Sequence, residues 1–243
     1  ISFGGMTPPL DWRAFGAVLF DLDGVITPTA AVHERAWAAL FAAWDYTDDD
    51  YLQYIDGRPR YEGVAAFLAS RGVELPWGDP SDPPGDRTVC ALGNRKNDVF
   101  NEVLDRDGIE AYPGSMAVVD LLDAAGIPTA IVSSSRNARG VLAAAGLTAR
   151  FPVVVDGLTA IEVGLRGKPE PHMFEYAAQQ VATPTERAAV VEDAVAGVRA
   201  GVAGSFAFVL GVDRGGNADA LAAAGADLVV ADLADTLTTE DLP

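Results

Sequence analysis

Two aspartates two residues apart, Asp21 and Asp23, follow an apolar run in the segment Phe20-Asp21-Leu22-Asp23-Gly24-Val25-Ile26-Thr27. The run, Ala17-Val18-Leu19-Phe20, reads as a buried strand bounded by Gly16 and Gly24. While the pleat of a strand persists, side chains at i and i+2 share a side. Like charges held that close repel unless a cation or a proton compensates them. Strand ends in an open α/β sheet are also where such folds bind ligands. The pattern points to a Mg²⁺-dependent site in which one carboxylate attacks and the other moves protons. Read structurally, the same acids belong to a solvated loop or a helix cap. The whole octapeptide and its partners downstream favour chemistry.

Phosphoryl transfer needs an in-line nucleophile, an acid/base for the attacking or leaving oxygen, and positive charge around the phosphoryl oxygens. Three later blocks supply those residue types. In Ile131-Val132-Ser133-Ser134-Ser135-Arg136-Asn137 a strand ends in hydroxyls and opens a helix. Ser there is a favoured N-cap, and exposed N–H groups at a helix start also bind phosphate. In Gly167-Lys168-Pro169-Glu170-Pro171 a lysine begins a helix after a strand and loop. A lysine in such a place is ordinarily just solvated, but its compact cation also suits a phosphoryl site. In Val190-Val191-Glu192-Asp193-Ala194-Val195-Ala196-Gly197 two acids end a strand. They cap the next helix or, with Asp21, offer hard oxygen ligands to Mg²⁺.

The elements that must position these groups are legible as short apolar runs. Strands are expected at Val18–Phe20, Thr129–Val132, Val153–Val155, Ala189–Val191, Phe206–Leu210 and Leu228–Val230. From Tyr112 onward they alternate with helical segments at Ser115–Ala125, Asn137–Ala145, Pro171–Val181, Ala194–Ala203 and Asn217–Ala224. Gly126, Gly146, Gly204 and Gly225 follow four of these helices, where a left-handed C-terminal residue is expected. The alternation implies an α/β fold, a doubly wound, Rossmann-like parallel sheet. Residues 30–111 break the rhythm. They carry helical periodicity at Val32–Trp44, Tyr61–Ser70 and Asn94–Asp105 without a convincing buried strand, and a Pro- and Gly-rich loop at 76–86. The expected division is a catalytic core of 14–29 and 112–243 with a small α-helical cap of 30–111 inserted after the first core strand. Residues 1–13 read as an N-terminal extension, with Ile1–Gly5 before Met6 a remnant foreign to the fold.

Composition narrows the functional classes. At 243 residues and 49% hydrophobic content, the chain can build a substantial core. A net charge of −18 disfavours nucleic-acid binding, which needs clustered Lys and Arg. It leaves room for a small phosphorylated substrate served by a few local cations and a metal. The lone Cys90 forms no internal disulfide and reads as inert, in keeping with a reducing, cytoplasmic setting. No apolar run approaches the roughly 20 residues of a membrane span, so no membrane partner is expected. No basic segment followed by an apolar stretch marks a signal peptide.

The octapeptide, continued through Thr29, Ala30, His33, Ala36 and Trp37, resembles the first motif of the haloacid dehalogenase-like phosphotransferases, in their β-phosphoglucomutase branch. The likeness recurs in blocks out to about Gly211. It implies a helical cap over the core strand ends. Asp21 would be the nucleophile that forms an aspartyl phosphate, chemistry open to a carboxylate. Asp23 would be the general acid/base, which argues against carbon–halogen cleavage, where no proton donor is required. Ser133 would contact the transferring phosphoryl group and Lys168 would neutralise it and the nucleophile. Pro169 would fix that loop through a cis or trans bond that the sequence leaves open. Ser135, Arg136 and Asn137 would hold the substrate's other phosphate. Mg²⁺ would be bound by Asp21 and Asp193, by Glu192 directly or through water, and by the Asp23 carbonyl.

The same resemblance assigns the cap. His33 would orient the acid/base at the hinge, and Arg60 would grip the distal phosphate, with Arg58 as its competitor. Lys96 would sit near the reacting sugar phosphate, with Trp37 in the same binding set. Read alone, each cation is a solvent-facing charge and a lone helical His is structural. Pro28 stands where the pattern usually has Asp, and Pro fixes φ and removes a donor at the hinge. The expectation is a cytoplasmic, monomeric enzyme that interconverts β-D-glucose 1-phosphate and glucose 6-phosphate through an aspartyl phosphate and a 1,6-bisphosphate. A Mg²⁺-dependent sugar-phosphate phosphatase is the alternative. A non-catalytic sugar-phosphate-binding protein is more distant, because Asp21, Asp23, Lys168 and Asp193 are all present.

Overall fold

Six short apolar segments pair in parallel into one sheet: β1 Ala17–Phe20, β2 Thr129–Val132, β3 Val153–Val155, β4 Ala188–Glu192, β5 Phe208–Val212 and β6 Leu228–Val230. The structure, a computed structural model, describes residues 9–55, 60–238 and 241. β1, β2 and β4 are buried along their whole length. That is why they read as continuous apolar runs rather than alternating ones. The helices of the described residues are α1 Thr29–Leu40, α2 Arg60–Ser70, α3 Val89–Asp107, α4 Pro113–Ala124, α5 Ala138–Ala144, α6 Gly157–Val163, α7 His172–Gln180, α8 Val195–Ala203 and α9 Ala218–Ala223, with shorter turns between them. None is long and apolar enough to cross a membrane.

The sheet order is β3-β2-β1-β4-β5-β6. The chain steps outward from β1 to β3, then returns to the other side of β1. The switch point therefore lies between β1 and β4, at whose carboxyl ends ligands bind in open α/β sheets. Register brings the reactive residues to that edge. Phe20 pairs with Ile131 on one side and Val191 on the other, so Asp21, Ser133 and Glu192 emerge beside one another.

Contacts divide the chain into two compact units, Ile1–Pro28 with Glu110–Pro243, and Thr29–Ile109. The first unit buries Leu19, Val132, Val190, Val198, Met173 and Phe174 between sheet and helices. The second has its own apolar core of Trp37, Phe41, Val64, Phe67, Val89 and Leu92. Its α3 begins at Val89, five residues before the helix expected at Asn94, because Thr88 caps it by accepting a hydrogen bond from Ala91 N at 3.0 Å. The first strand of the C-terminal pair starts at Phe208 rather than Phe206. The sequence reading has no counterpart for α6, whose start is set by Asp156 accepting from Thr159 N at 2.8 Å.

Three of the four glycines placed after helices adopt positive φ: Gly126 (68°), Gly146 (70°) and Gly225 (106°). Gly204 does not; its φ is −80°, and Ser205 takes the left-handed conformation instead. Glycine is needed there for space. A Cβ on Gly204 would lie 2.7 Å from the Phe206 ring, itself packed edge-on against Phe174, and 3.2 Å from Pro171. Gly126 is the converse case, with nothing within 4 Å. Gly204→Ala is expected to cost about 1–3 kcal/mol through overpacking. Gly126→Ala should cost about 1–2 kcal/mol through backbone strain alone. Urea denaturation measures both, and wild-type stability in Gly204→Ala would remove the packing explanation.

Candidate active site

The site grows from the carboxyl edge of β1, β2 and β4. Asp21 leaves β1 with its N–H still donating to Val191 O at 2.9 Å, so its backbone is held by the neighbouring strand. Its carboxylate is buried and accepts a hydrogen bond from Lys168 Nζ. The same ammonium donates to Glu192 Oε1 at 2.5 Å and to the Val132 carbonyl at 2.9 Å. Lys168 thus ties the ends of three adjacent strands together. Its apolar stem and head lie against Phe174, with Nζ 5.0 Å from the ring centroid. The Lys168–Pro169 peptide is cis.

Glu192 is fully engaged. Oε1 faces Lys168, and Oε2 accepts from Ala194 N at 3.0 Å. It also fills the space above Gly197 in α8, where a Cβ would lie 1.8 Å from Oε1. Asp193 is packed the same way. Its Oδ2 occupies the space beside Gly24, 1.9 Å from where a Cβ would stand, and Gly24 has φ of 86°. Asp23 accepts from Ser133 Oγ at 3.2 Å, and Ser133 Oγ in turn accepts from Ser135 N at 3.1 Å. Ser135 Oγ accepts from Asn137 N at 3.1 Å. The hydroxyls of this block therefore organise the turn that opens α5, while Arg136 is exposed beside them.

The electrostatics follow from crowding acids around one lysine. Burial raises the Asp21 pKa well above the ordinary carboxylate value; Lys168 opposes this, and Glu192, Asp23 and Asp193 add to it. Burial, reinforced by Glu192, pushes Asp193 up to about 7. Burial would lower the pKa of Lys168, but Asp21 and Glu192 outweigh it and hold the ammonium charged. The cluster therefore lacks positive charge. No three His, Cys, Asp or Glu side chains among the described residues form a ready metal cage. Mg²⁺ does not require one. It is commonly held by one or two carboxylates, waters and substrate phosphate oxygens. Asp21, Asp193 and the Asp23 carbonyl are the atoms that could hold it, with Glu192 already committed to Lys168.

The second unit places its predicted residues differently from solvent-facing charges. Lys96 is buried, with Nζ 5.2 Å from the Trp37 ring centroid and 5.0 Å from that of Phe100. It hydrogen-bonds His33 Nδ1, whose ring stacks on Phe100 at 4.5 Å. Trp37, expected among the substrate-binding residues, is buried in the unit's core against Phe41, with Lys96 over its ring. Arg60 is exposed at the first residue of α2. Arg58 lies outside the described residues. Burial, then Lys96 and Arg60, lower the His33 pKa from 6.5 to about 3, so the imidazole is neutral and accepts at Nδ1.

Sequence reasoning missed the groups that act through space rather than through side-chain chemistry. Gly197 gives Glu192 its place, and the Val132 carbonyl receives Lys168. Gly157 lets the loop before α6 approach the Ser135 turn: a Cβ there would meet Ser134 O at 2.7 Å. A glycine inside a helix or at a strand end carries no sign of which distant side chain fills its gap.

Two measurements test this geometry. Gly197→Ala should displace Glu192 and leave Lys168 with one carboxylate fewer, lowering unfolding free energy by about 3–5 kcal/mol, as when a buried pair is broken. Wild-type stability in chemical denaturation would show that Glu192 does not depend on that space. His33 gives a pH signature. Its folded pKa lies below its unfolded one, so the unfolded chain takes up the proton first. Stability should be fully present above pH 6.5 and lost as pH falls toward 3, by up to about 1.4 kcal/mol per unit from this residue. His33→Gln should flatten the profile between pH 7 and 5; an unchanged slope would mean that His33 is protonated in the fold.

The chain is similar to known proteins over most of its length. A family model described as haloacid dehalogenase-like hydrolase matches residues 15–204. The chain is 44% identical over 238 residues to a β-phosphoglucomutase of Mycobacterium bovis, with 91% of each chain covered. It is 32% identical over 185 residues to hexitol phosphatase A of Escherichia coli, covering 76% of this chain and 77% of the relative. Among solved structures, a HAD family hydrolase from Deinococcus radiodurans with bound phosphate and sodium aligns with a TM-score of 0.70 and 32% identity. That alignment covers 92% of this chain and 93% of the other.

Proposed function

Because the chain belongs to the haloacid dehalogenase-like hydrolase family, we propose that it is a β-phosphoglucomutase, interconverting β-D-glucose 1-phosphate and glucose 6-phosphate. The observation that carries this reading is the 44% identity to the mycobacterial β-phosphoglucomutase across 91% of both chains. The buried Asp21–Lys168–Glu192 cluster supports the chemistry.

In the first half-reaction an Asp21 carboxylate oxygen attacks the phosphorus of a phosphate donor, and the bond from phosphorus to the donor oxygen breaks. Asp23 gives its proton to that departing oxygen. Lys168 keeps Asp21 oriented and sets positive charge beside the phosphoryl oxygens, where preorganised charge lowers the barrier most. Ser133 holds Asp23 through its Oγ. In the second half-reaction Asp23 removes the proton of a sugar hydroxyl, whose oxygen attacks the phosphorus of the aspartyl phosphate, and Asp21 is released. The product is a 1,6-bisphosphate. It turns end for end and returns its other phosphate to Asp21. Asp21, Asp193 and the Asp23 carbonyl would hold Mg²⁺, which supplies charge neutralisation between nucleophile and phosphate. Ser135, Arg136 and Asn137 would hold the phosphate that is not reacting; in the second unit, Arg60 is our candidate for a distal phosphate, and Lys96 with His33 for the sugar phosphate.

A sugar-phosphate phosphatase is the second reading, favoured by the 32% identity to hexitol phosphatase A. The core residues serve both reactions, since water can replace the sugar hydroxyl. Product analysis separates them: β-glucose 1-phosphate with Mg²⁺ and catalytic bisphosphate should yield glucose 6-phosphate, and free glucose with phosphate would establish the phosphatase. Arg60→Ala should cost transfer to the sugar phosphate on the order of 2 kcal/mol, about thirtyfold, through loss of a charge-assisted contact. Hydrolysis of acetyl phosphate should change little. Equal losses in both reactions would remove Arg60 from the distal phosphate.

A further inference from the structure

The loop that leaves β5, Asp213-Arg214-Gly215-Gly216-Asn217, belongs to none of the four sequence blocks, yet it touches two of them. Arg214 Nε donates to the Gly24 carbonyl at 2.9 Å, one residue beyond Asp23. Asn217 Nδ2 donates to the Asp193 carbonyl at 3.0 Å. Gly24 and Asp193 are themselves in contact, since Asp193 Oδ2 fills the space beside Gly24. The four residues close a ring around the backbone that presents Asp23 and Asp193.

Each side chain keeps one buried polar atom that has no hydrogen-bond partner among the described residues. Asn217 stands at the N-cap of α9, where an Asn side chain usually accepts from the helix's own N–H groups. Here it makes no cap bond, and its Oδ1 is buried without a hydrogen-bond partner. Arg214 lies over the Tyr112 ring at 3.7 Å, and its Nη1 reaches Ala231 O at 3.2 Å and Asp232 at 3.3 Å. Its Nη2 is likewise buried without a partner. Tyr112 also binds the same turn, its N–H donating to Ile26 O at 2.9 Å. The loop is itself rigid, because Asp213 Oδ1 accepts from Gly216 N at 2.6 Å and Asn217 N at 2.8 Å, and Asp213 N donates to Val230 O at 2.8 Å. Two side chains of one loop, each with an unsatisfied buried atom and each bound to a carbonyl of a different motif, call for an explanation beyond local packing.

We propose that Arg214 and Asn217 are positioning residues for phosphoryl transfer: from one rigid loop they fix the Gly24 and Asp193 backbones, and so set the spacing between Asp23 and the Asp193 carboxylate. The inference rests on the reading of Asp21, Asp23 and Asp193 as a Mg²⁺-dependent phosphotransfer site.

The test uses the full chain with Mg²⁺ alone and with acetyl phosphate. Calorimetric titration gives the Mg²⁺ dissociation constant without turnover, kinetics give kcat and KM separately, and thermal unfolding without metal reports the fold. Asn217→Ala should weaken Mg²⁺ binding about tenfold, the scale seen when a residue that orients a metal ligand is lost. Arg214→Lys, which keeps the charge but cannot serve Gly24 and Ala231 together, should lower kcat by about tenfold. KM for acetyl phosphate should stay near wild type in both, with the unfolding temperature of Asn217→Ala little changed. Should Arg214→Lys fold poorly, Asn217→Ala still decides. Wild-type Mg²⁺ affinity and kcat in Asn217→Ala, in an enzyme that is otherwise active, would overturn the positioning role alone. A wild-type chain that neither binds Mg²⁺ nor consumes acetyl phosphate would overturn the phosphotransfer reading, and this inference with it.

Discussion

One buried ammonium organises the catalytic unit. Lys168 has its charge among Asp21, Glu192 and the Val132 carbonyl, groups from the ends of three neighbouring strands. Taking these charges out of water costs several kcal/mol per ion, and only close, fully hydrogen-bonded geometry repays it. Such geometry demands that the strand ends arrive in register. The pairing of Phe20 with both Ile131 and Val191 meets that demand, and the continuous burial of β1, β2 and β4 keeps the register from slipping. The site is therefore a property of the sheet before it is a property of any loop. Among the described residues, acids outnumber the cation beside them, a charge balance that suits the Mg²⁺ proposed for the site.

Close packing of acids needs places where nothing else stands. Glu192 lies above Gly197 and Asp193 beside Gly24, each where a Cβ would otherwise be. Backbone without a Cβ thus leaves space for both carboxylates, and Glu192 is held in addition by Lys168 and by Ala194 N. Gly157 does the same for the turn at Ser135, bringing the start of α6 against the loop that opens α5. Confinement of this kind lowers the reorganisation needed when charge moves, which is what electrostatic catalysis asks of a site.

The parts of this arrangement that were legible in the sequence share a cause. A buried parallel strand leaves a contiguous apolar run, and a reactive strand end leaves an unusual polar cluster directly after it, so β1, β2 and β4 and the blocks at Asp21, Ser133 and Glu192 could be read together. Lys168 was readable through its motif. The short α6 was not, because seven residues carry too little periodicity and its start depends on one Asp156 cap. Gly204 was misread as a left-handed helix end because its need for space comes from Phe206 and Pro171, the latter far away in sequence. Arg214 and Asn217 left no signal, since each acts on a backbone carbonyl that any residue would offer. Lys96 and Trp37 show the limit in the second unit. Read alone, Lys96 was a solvent-facing charge, and the family likeness assigned both residues to substrate binding; nothing in the sequence signalled that Trp37 would be buried in the core with Lys96 buried against its ring.

That cation explains why a histidine stands at position 33. A buried lysine needs an acceptor, and a carboxylate there would neutralise its charge. A neutral imidazole accepts at Nδ1, while the Trp37 and Phe100 rings offer their electron-rich faces. Burial first, then the charges of Lys96 and Arg60, oppose protonation of His33, so its imidazole stays neutral across the neutral range. Lys96 is thus packed against the Trp37 and Phe100 rings beside a neutral imidazole, in a chain whose overall charge is −18.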